Sequence, residues 1–274
     1  MAHFTTSDGL SLYYTDDGSG IPILCLPGLT RTTADFDYIT PHLARCRLIK
    51  LDYRGRGKSD WDQTWQNYNL SVEARDVLEL LDHLKLDRVA ILGTSRGGLL
   101  AMGIAMGARE RLIGVALNDI GPVIDPKGLS FIMGYLGRKP GAANHVQAAR
   151  ALERGLNGFV DVPFSRWMEE AVKHYVRNDD GLDITYDPKL RSAVEEQGAQ
   201  AAPDLWPFFD AMKGLPLATI RGENSDLLTR ETLAQMQECR PDMISAVAVG
   251  RGHVPFLDEP EAVAALQTWV ELMK

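Results

Sequence analysis

The sequence predicts an α/β fold: a mostly parallel central sheet with helices on both faces, and a helical segment inserted in the second half of the chain. Three observations predict it. Short apolar runs bounded by turn residues alternate with amphipathic helical patterns along most of the chain. That alternation breaks between about residues 121 and 206. The length of 274 residues lies at the upper end of what one core serves, which suits a single domain carrying an insertion.

Taken in order, Phe4-Thr5-Thr6 and Leu12-Tyr13-Tyr14, separated by Ser7-Asp8-Gly9, read as a hairpin along one edge. Residues 23–26, 48–51, 89–92, 113–117, 217–220 and 244–249 are apolar runs that suit strands buried on both faces of a parallel sheet. With Ser71 as N-cap, Val77, Leu80, Leu81 and Leu84 mark the apolar face of a helix. Pro260 opens the last helix, whose face carries Val263, Leu266, Trp269 and Val270. Between them, residues 121–206 show no clear buried-strand run and read as mainly helical. Pro140-Gly141 and Asn178-Asp179-Asp180-Gly181 are among the breaks that divide the stretch. A structureless loop of that length does not fit a compact domain. The expected division is therefore a first core segment at residues 1–122, a helical cap at 123–205 and a second core segment at 206–274.

Composition removes several function classes. Hydrophobic residues make up 45% and charged residues 24%, as in ordinary globular proteins. Lysine plus arginine total 29 against 37 acids, for a net charge of −8, and no basic run offers a nucleic-acid surface. No apolar stretch approaches the roughly 20 residues that span a bilayer. The first ten residues lack the basic start and apolar stretch of a signal peptide, so a cytoplasmic location is expected. Cys25, Cys46 and Cys239 are far apart and form no CxxC pair. With no metal cluster and no dinucleotide fingerprint, neither a metal nor a cofactor is expected. The expected partner is a small-molecule substrate, and monomer and homo-oligomer both remain open.

The chemistry concentrates at Gly93-Thr94-Ser95-Arg96-Gly97-Gly98, which joins the strand run 89–92 to the helical pattern beginning Leu99-Leu100-Ala101-Met102. A strand entering Gly-x-Ser-x-Gly and leaving as a helix is the context of a nucleophile elbow. The turn needs strained backbone angles at the serine and small neighbours around it. Its hydroxyl then stands outside the sheet's carboxyl edge, above a helix N-terminus that can offer a backbone N–H to developing negative charge.

A serine hydroxyl needs a base. Of the six histidines, His253 follows the last strand and precedes the last helix, at the sheet edge that carries Ser95. His145 and His174 lie in the insertion and are its rivals. The base needs an acid to hold its tautomer. Asp226 follows the penultimate strand in Gly222-Glu223-Asn224-Ser225-Asp226 and is the preferred choice. Glu223 and Asp119 are the alternatives, the latter ending another central strand or capping the start of the insertion. For an oxyanion, the backbone N–H groups of Leu29 and Arg96 form the expected pair of donors.

On these residues the chain resembles the α/β-hydrolase fold superfamily, and in particular its small bacterial serine hydrolases bearing a cap. Matching segments are Leu26-Pro27-Gly28, the run from Asp52 to Ser59, Gly93 to Gly98, Gly222 to Asp226, and Gly252-His253. The order Ser95, Asp226, His253 is the one found in α/β-hydrolases. One departure is Pro27-Gly28, where many relatives have His-Gly. The resemblance implies a serine hydrolase whose cap roofs the substrate pocket, and serine at the elbow separates it from relatives that place aspartate there.

Arg96 and Arg31 place two cations near the site, so a substrate carboxylate is one reading of either. The competing reading pairs Arg96 with a buried acid such as Asp119 or Glu223 and leaves Arg31 solvated. Trp167 and Tyr175 are further candidate substrate contacts in the cap, with core packing as the alternative. Arg54 and Arg56 read as structural, and Asp52 as the residue that fixes their loop. The expected activity is hydrolysis of a carboxylic ester or lactone through an acyl-enzyme. Alternatives are C–C bond hydrolysis of a vinylogous diketone acid (a ring-cleavage product), a ligand sensor that retains the triad, and a cofactor-free haloperoxidase-like activity.

Overall fold

The apolar runs assemble as β-strands of a single sheet in the computed structural model, which describes residues 2–179, 181–199 and 203–274. The first half runs β1 (Ala2–Thr5), β2 (Ser11–Gly18), β3 (Ile21–Leu26), β4 (Cys46–Leu51), α1 (Leu70–His83), β5 (Val89–Thr94), α2 (Arg96–Gly107) and β6 (Leu112–Asn118). Next come α3 (Pro126–Tyr135), α4 (His145–Gly155), α5 (Phe164–His174), β7 (Tyr175–Asn178), β8 (Gly181–Ile184) and α6 (Leu190–Gly198). The chain closes with α7 (Trp206–Asp210), β9 (Leu217–Gly222), α8 (Arg230–Cys239), β10 (Ile244–Ala248) and α9 (Pro260–Glu271).

Eight strands form the main sheet in the order β1-β2-β4-β3-β5-β6-β9-β10. β2 runs antiparallel to β1 and β4, and the remaining pairs are parallel. Alternation along each strand splits the core into two layers. In β5, Val89 and Ile91 join the layer covered by α1, α2, α7 and α8, while Ala90 and Leu92 join the layer covered by α9. Both faces are dry, which is why the central strands read as continuous apolar runs.

Two local expectations change. The N-cap of α1 is Asn69, whose side chain accepts from the Val72 N–H, and Ser71 lies inside the helix. An asparagine caps as well as a serine, so the boundary moves two residues back. Residues 123–205 are also not wholly helical: β7 and β8 pair antiparallel, with Tyr175 opposite Ile184. Each of these strands has four residues, and only Leu182 and Ile184 are buried, so no apolar run announces them.

The inserted segment is tied through α5 to loops flanking the sheet. Arg166 forms a two-pronged ion pair with Asp258 at 2.6 and 3.2 Å, and its guanidinium lies 3.7 Å from the Tyr38 ring centroid. The Tyr38 hydroxyl donates to Glu170 at 3.0 Å. Among the described residues no helix is long and apolar enough to cross a membrane.

Candidate active site

Ser95 stands between β5 and α2 with φ of +49°, a conformation that L-residues adopt only under constraint. Two glycines permit it. A Cβ on Gly93 would come within 2.5 Å of the Gly97 backbone, and one on Gly97 would overlap the Leu26 carbonyl oxygen. The Ser95 N–H donates to the Asn118 carbonyl at 2.9 Å, anchoring the turn to the end of β6.

His253, in the loop after β10, places Nε2 3.1 Å from Ser95 Oγ. Its Nδ1 lies 2.7 Å from Asp119 Oδ2. Asp119 is the residue immediately after β6, fully buried and with φ of +54°. It accepts further hydrogen bonds from the Gly222 N–H at 2.8 Å and the Ser225 hydroxyl at 2.6 Å. A buried carboxylate with this many donors is held in one orientation, which in turn fixes the ring of His253. Serine, histidine and aspartate thus form a continuous hydrogen-bonded chain able to move a proton off Ser95.

The acid on the imidazole is therefore Asp119 rather than Asp226. The loop after β9 explains the correction. Arg221 is buried and donates to the carbonyls of Glu223, Ser225 and Leu228 at 2.9, 3.2 and 2.7 Å. This fixes the loop with Ser225 on Asp119 and the neighbouring Asp226 lining the chamber that holds Ser95 and His253. Glu223 accepts from the Gly250 N–H at 2.9 Å and braces the loop before His253.

The expected oxyanion donors flank the same site. Arg96 is the first residue of α2, so its N–H has no acceptor within the helix. Leu29 lines the chamber with Ser95. Among the described residues neither N–H meets an acceptor. The Gly28 carbonyl accepts from the Arg31 N–H at 3.2 Å. Because C=O and N–H of a trans peptide point to opposite sides, that bond also aims the Leu29 N–H. The adjoining peptides are held as well: Tyr53 donates to the Pro27 carbonyl at 3.0 Å and Arg56 Nε to the Leu29 carbonyl at 3.1 Å.

The Arg96 side chain points away from the chamber. Its Nε donates to Glu73 at 2.6 Å, and Arg56 donates to the other oxygen of Glu73 at 2.7 Å. Substrate contact by Arg96 is thereby corrected, and its buried partner is neither Asp119 nor Glu223. Burial alone would raise the Glu73 carboxyl, but the two guanidiniums outweigh it and hold the group below its ordinary range. Glu73 is not among the residues the sequence singles out, and the signal that marks it is an acid on the apolar stripe of α1, four residues before Val77. Arg54 and Asp52 are structural as expected. Arg54 pairs with Asp76 and Asp62 at 2.6 Å, and Asp52 accepts from the Thr33 and Lys58 N–H groups.

The chamber at Ser95 has a volume of about 50 Å³ and adjoins a cavity of about 450 Å³ under the inserted segment. Arg31, Phe131 and Tyr135 line both. Arg31 is only partly exposed and donates to Asp35 at 2.6 Å, so it is not a freely solvated cation. Tyr175 lines the larger cavity. Trp167 does not line either one; it is 2% exposed and packs with Phe159 and Phe256, a core role that corrects its candidacy as a substrate contact. Among the described residues no group of three histidine, cysteine, aspartate or glutamate side chains is placed to hold a metal ion.

Comparison with known proteins gives concordant results. Residues 23–266 match the family model of the alpha/beta hydrolase family. A 3-hydroxybutyrate-oligomer hydrolase of Cupriavidus necator is 33% identical, over 88% of this chain and 85% of its own length. A 2-(acetamidomethylene)succinate hydrolase of Mesorhizobium japonicum is 27% identical, over 92% of this chain and 88% of its own. The crystal structure of an alpha/beta hydrolase from Novosphingobium aromaticivorans superposes with a TM-score of 0.92 at 36% identity, covering 99% of both chains.

Proposed function

The chain belongs to the alpha/beta hydrolase family, and from that premise we propose that it hydrolyses a carboxylic ester or lactone through an acyl-enzyme on Ser95. The observation that carries this reading is the unbroken hydrogen-bonded chain from Ser95 through His253 to Asp119 at the wall of the chamber. His253 Nε2 takes the Ser95 proton as Oγ attacks the carbonyl, and Asp119 balances the imidazolium charge. The Leu29 and Arg96 N–H groups receive the oxyanion, each such donor being worth about 2.7–4 kcal/mol in comparable sites. His253 then protonates the leaving alcohol. In the second half-reaction it takes a proton from water, whose oxygen attacks the acyl carbon and frees Ser95.

The relative that acts on 3-hydroxybutyrate oligomers supports an ester of a short hydroxy acid as substrate. The C–C bond alternative loses ground, because the cation it assigned to an acidic tail, Arg96, is committed to Glu73. The test is a screen of short-chain ethyl esters, lactones and a vinylogous diketone acid, with Ser95→Ala alongside. Ester or lactone turnover is expected to fall at least about 10³-fold in the variant. Full turnover by Ser95→Ala, or a clear preference for the diketone acid, would overturn the reading.

A further inference from the structure

Asp226 has no part in the proton chain, yet it lines the chamber beside Ser95 and His253. It is half-buried, and among the described residues its carboxylate meets neither a hydrogen-bond donor nor a cation. The loop is fixed at both sides of it, by Arg221 on the Ser225 and Leu228 carbonyls and by the Gly128 N–H on the Asp226 carbonyl at 3.1 Å. The main chain is thus fixed with Asp226 in the wall of the chamber. The guanidinium in the same lining, that of Arg31, already donates to Asp35.

An unpaired carboxylate at such a place is selective in a definite sense. A ligand that strips solvent from it without supplying a donor leaves a charged acceptor unsatisfied. A second carboxylate beside it would be repelled. A neutral hydroxyl satisfies it. Geometry decides which part of the substrate carries that hydroxyl. The scissile carbonyl must sit against Ser95 and the Leu29 N–H, inside the chamber of about 50 Å³. It is much the smaller of the two spaces, so the acyl group placed there is a short one. The longer alcohol portion must then extend past Arg31 into the cavity of about 450 Å³.

We propose that Asp226 accepts a hydrogen bond from a hydroxyl on the acyl group, so that the site selects esters of short hydroxy acids and takes oligomers from the hydroxyl end. The proposal rests on the serine-ester reading above and specifies its substrate.

Ethyl 3-hydroxybutyrate and ethyl butyrate test it, because they differ by one hydroxyl and share a leaving group. The wild-type ratio of kcat/KM is expected to favour the hydroxy ester by about tenfold or more, as for a site that pairs a substrate hydroxyl. Asp226→Ala brings the ratio to about one. Asp226→Asn keeps the shape and an acceptor oxygen but loses the charge, and lowers the ratio several-fold, which keeps the test open if the alanine variant does not fold. A wild-type ratio near one, or a ratio unchanged in the variants, overturns the proposal. Turnover of neither ester by the wild type overturns the proposal, and if lactones are inert as well it overturns the serine-ester reading together with it, whereas turnover of both without discrimination overturns only the role of Asp226.

Discussion

Asp119 Oδ2 lies 2.7 Å from His253 Nδ1, although Asp226, in the loop after the neighbouring strand β9, also falls between Ser95 and His253 in the chain. The two carboxylates differ in what surrounds them. Asp119 is fully buried and also accepts from Gly222 and Ser225, whereas Asp226 faces the chamber. Asp119→Asn is therefore expected to lower kcat by about 10³–10⁴-fold, because the amide leaves His253 with the wrong tautomer. Steady-state turnover of ethyl butyrate checks this, and Asp226→Asn should cost much less. Equal losses in the two variants would contradict the assignment.

Glu73 joins the two segments that carry the proposed oxyanion donors, since Arg96 and Arg56 both donate to it and Arg56 also holds the Leu29 carbonyl. Glu73→Gln is expected to lower kcat by about 10–100-fold with little change in KM, as for weakened donors felt mainly in the transition state. Glu73→Ala leaves two buried guanidiniums uncompensated and should cost about 3–5 kcal/mol of stability by denaturant titration. A change confined to KM would count against the positioning role.

Glu170 ties α5 to the core at Tyr38 and lies 3.3 Å from His174. Burial would raise its carboxyl, but His174, Arg31 and Lys173 outweigh burial and hold it at about 2, below its ordinary 4.5. A depressed acid stabilises the fold above its unfolded value and loses that contribution as pH falls through its folded one. The Tm gap between wild type and Glu170→Gln is thus expected to be full above pH 4.5 and to shrink toward pH 2. A gap independent of pH across that window would show that the charge of Glu170 carries no stability.

At the elbow, Gly97 packs its bare α-carbon against the Leu26 carbonyl. Gly97→Ala must push α2 away from β3, and overpacking of this kind costs about 1–3 kcal/mol. A lowered Tm together with reduced kcat is expected, because the Arg96 N–H moves with the helix. A variant matching wild type in both would mean that the close approach is unimportant.

Much of this site is legible because its signals are local. Gly93 to Gly98 encodes a strand, a strained turn and a helix within one short stretch, and His253 occupies a fixed place between β10 and α9. The acid is different. Asp119 and Asp226 both end up at the carboxyl edge of the sheet, and the choice depends on how Arg221 and Ser225 fold the loop after β9. The contacts of Arg221 to Leu228 and of Ser225 to Asp119 become visible only when the chain is folded. The Arg96 side chain is a similar case, since its partner Glu73 lies on another helix. Trp167 is ambiguous in sequence because an aromatic at helical spacing serves core and pocket equally well. The β7–β8 hairpin left no apolar run to read.

In the proposed reaction Ser95 attacks the substrate and carries its acyl group. This role is tested most directly by mapping the covalent adduct of a serine-directed organophosphate by mass spectrometry after inactivation. One phosphoryl group is expected on the peptide containing Ser95, formed in step with loss of ester turnover and absent from Ser95→Ala. Inactivation without modification of Ser95, or an equal adduct in Ser95→Ala, would contradict it.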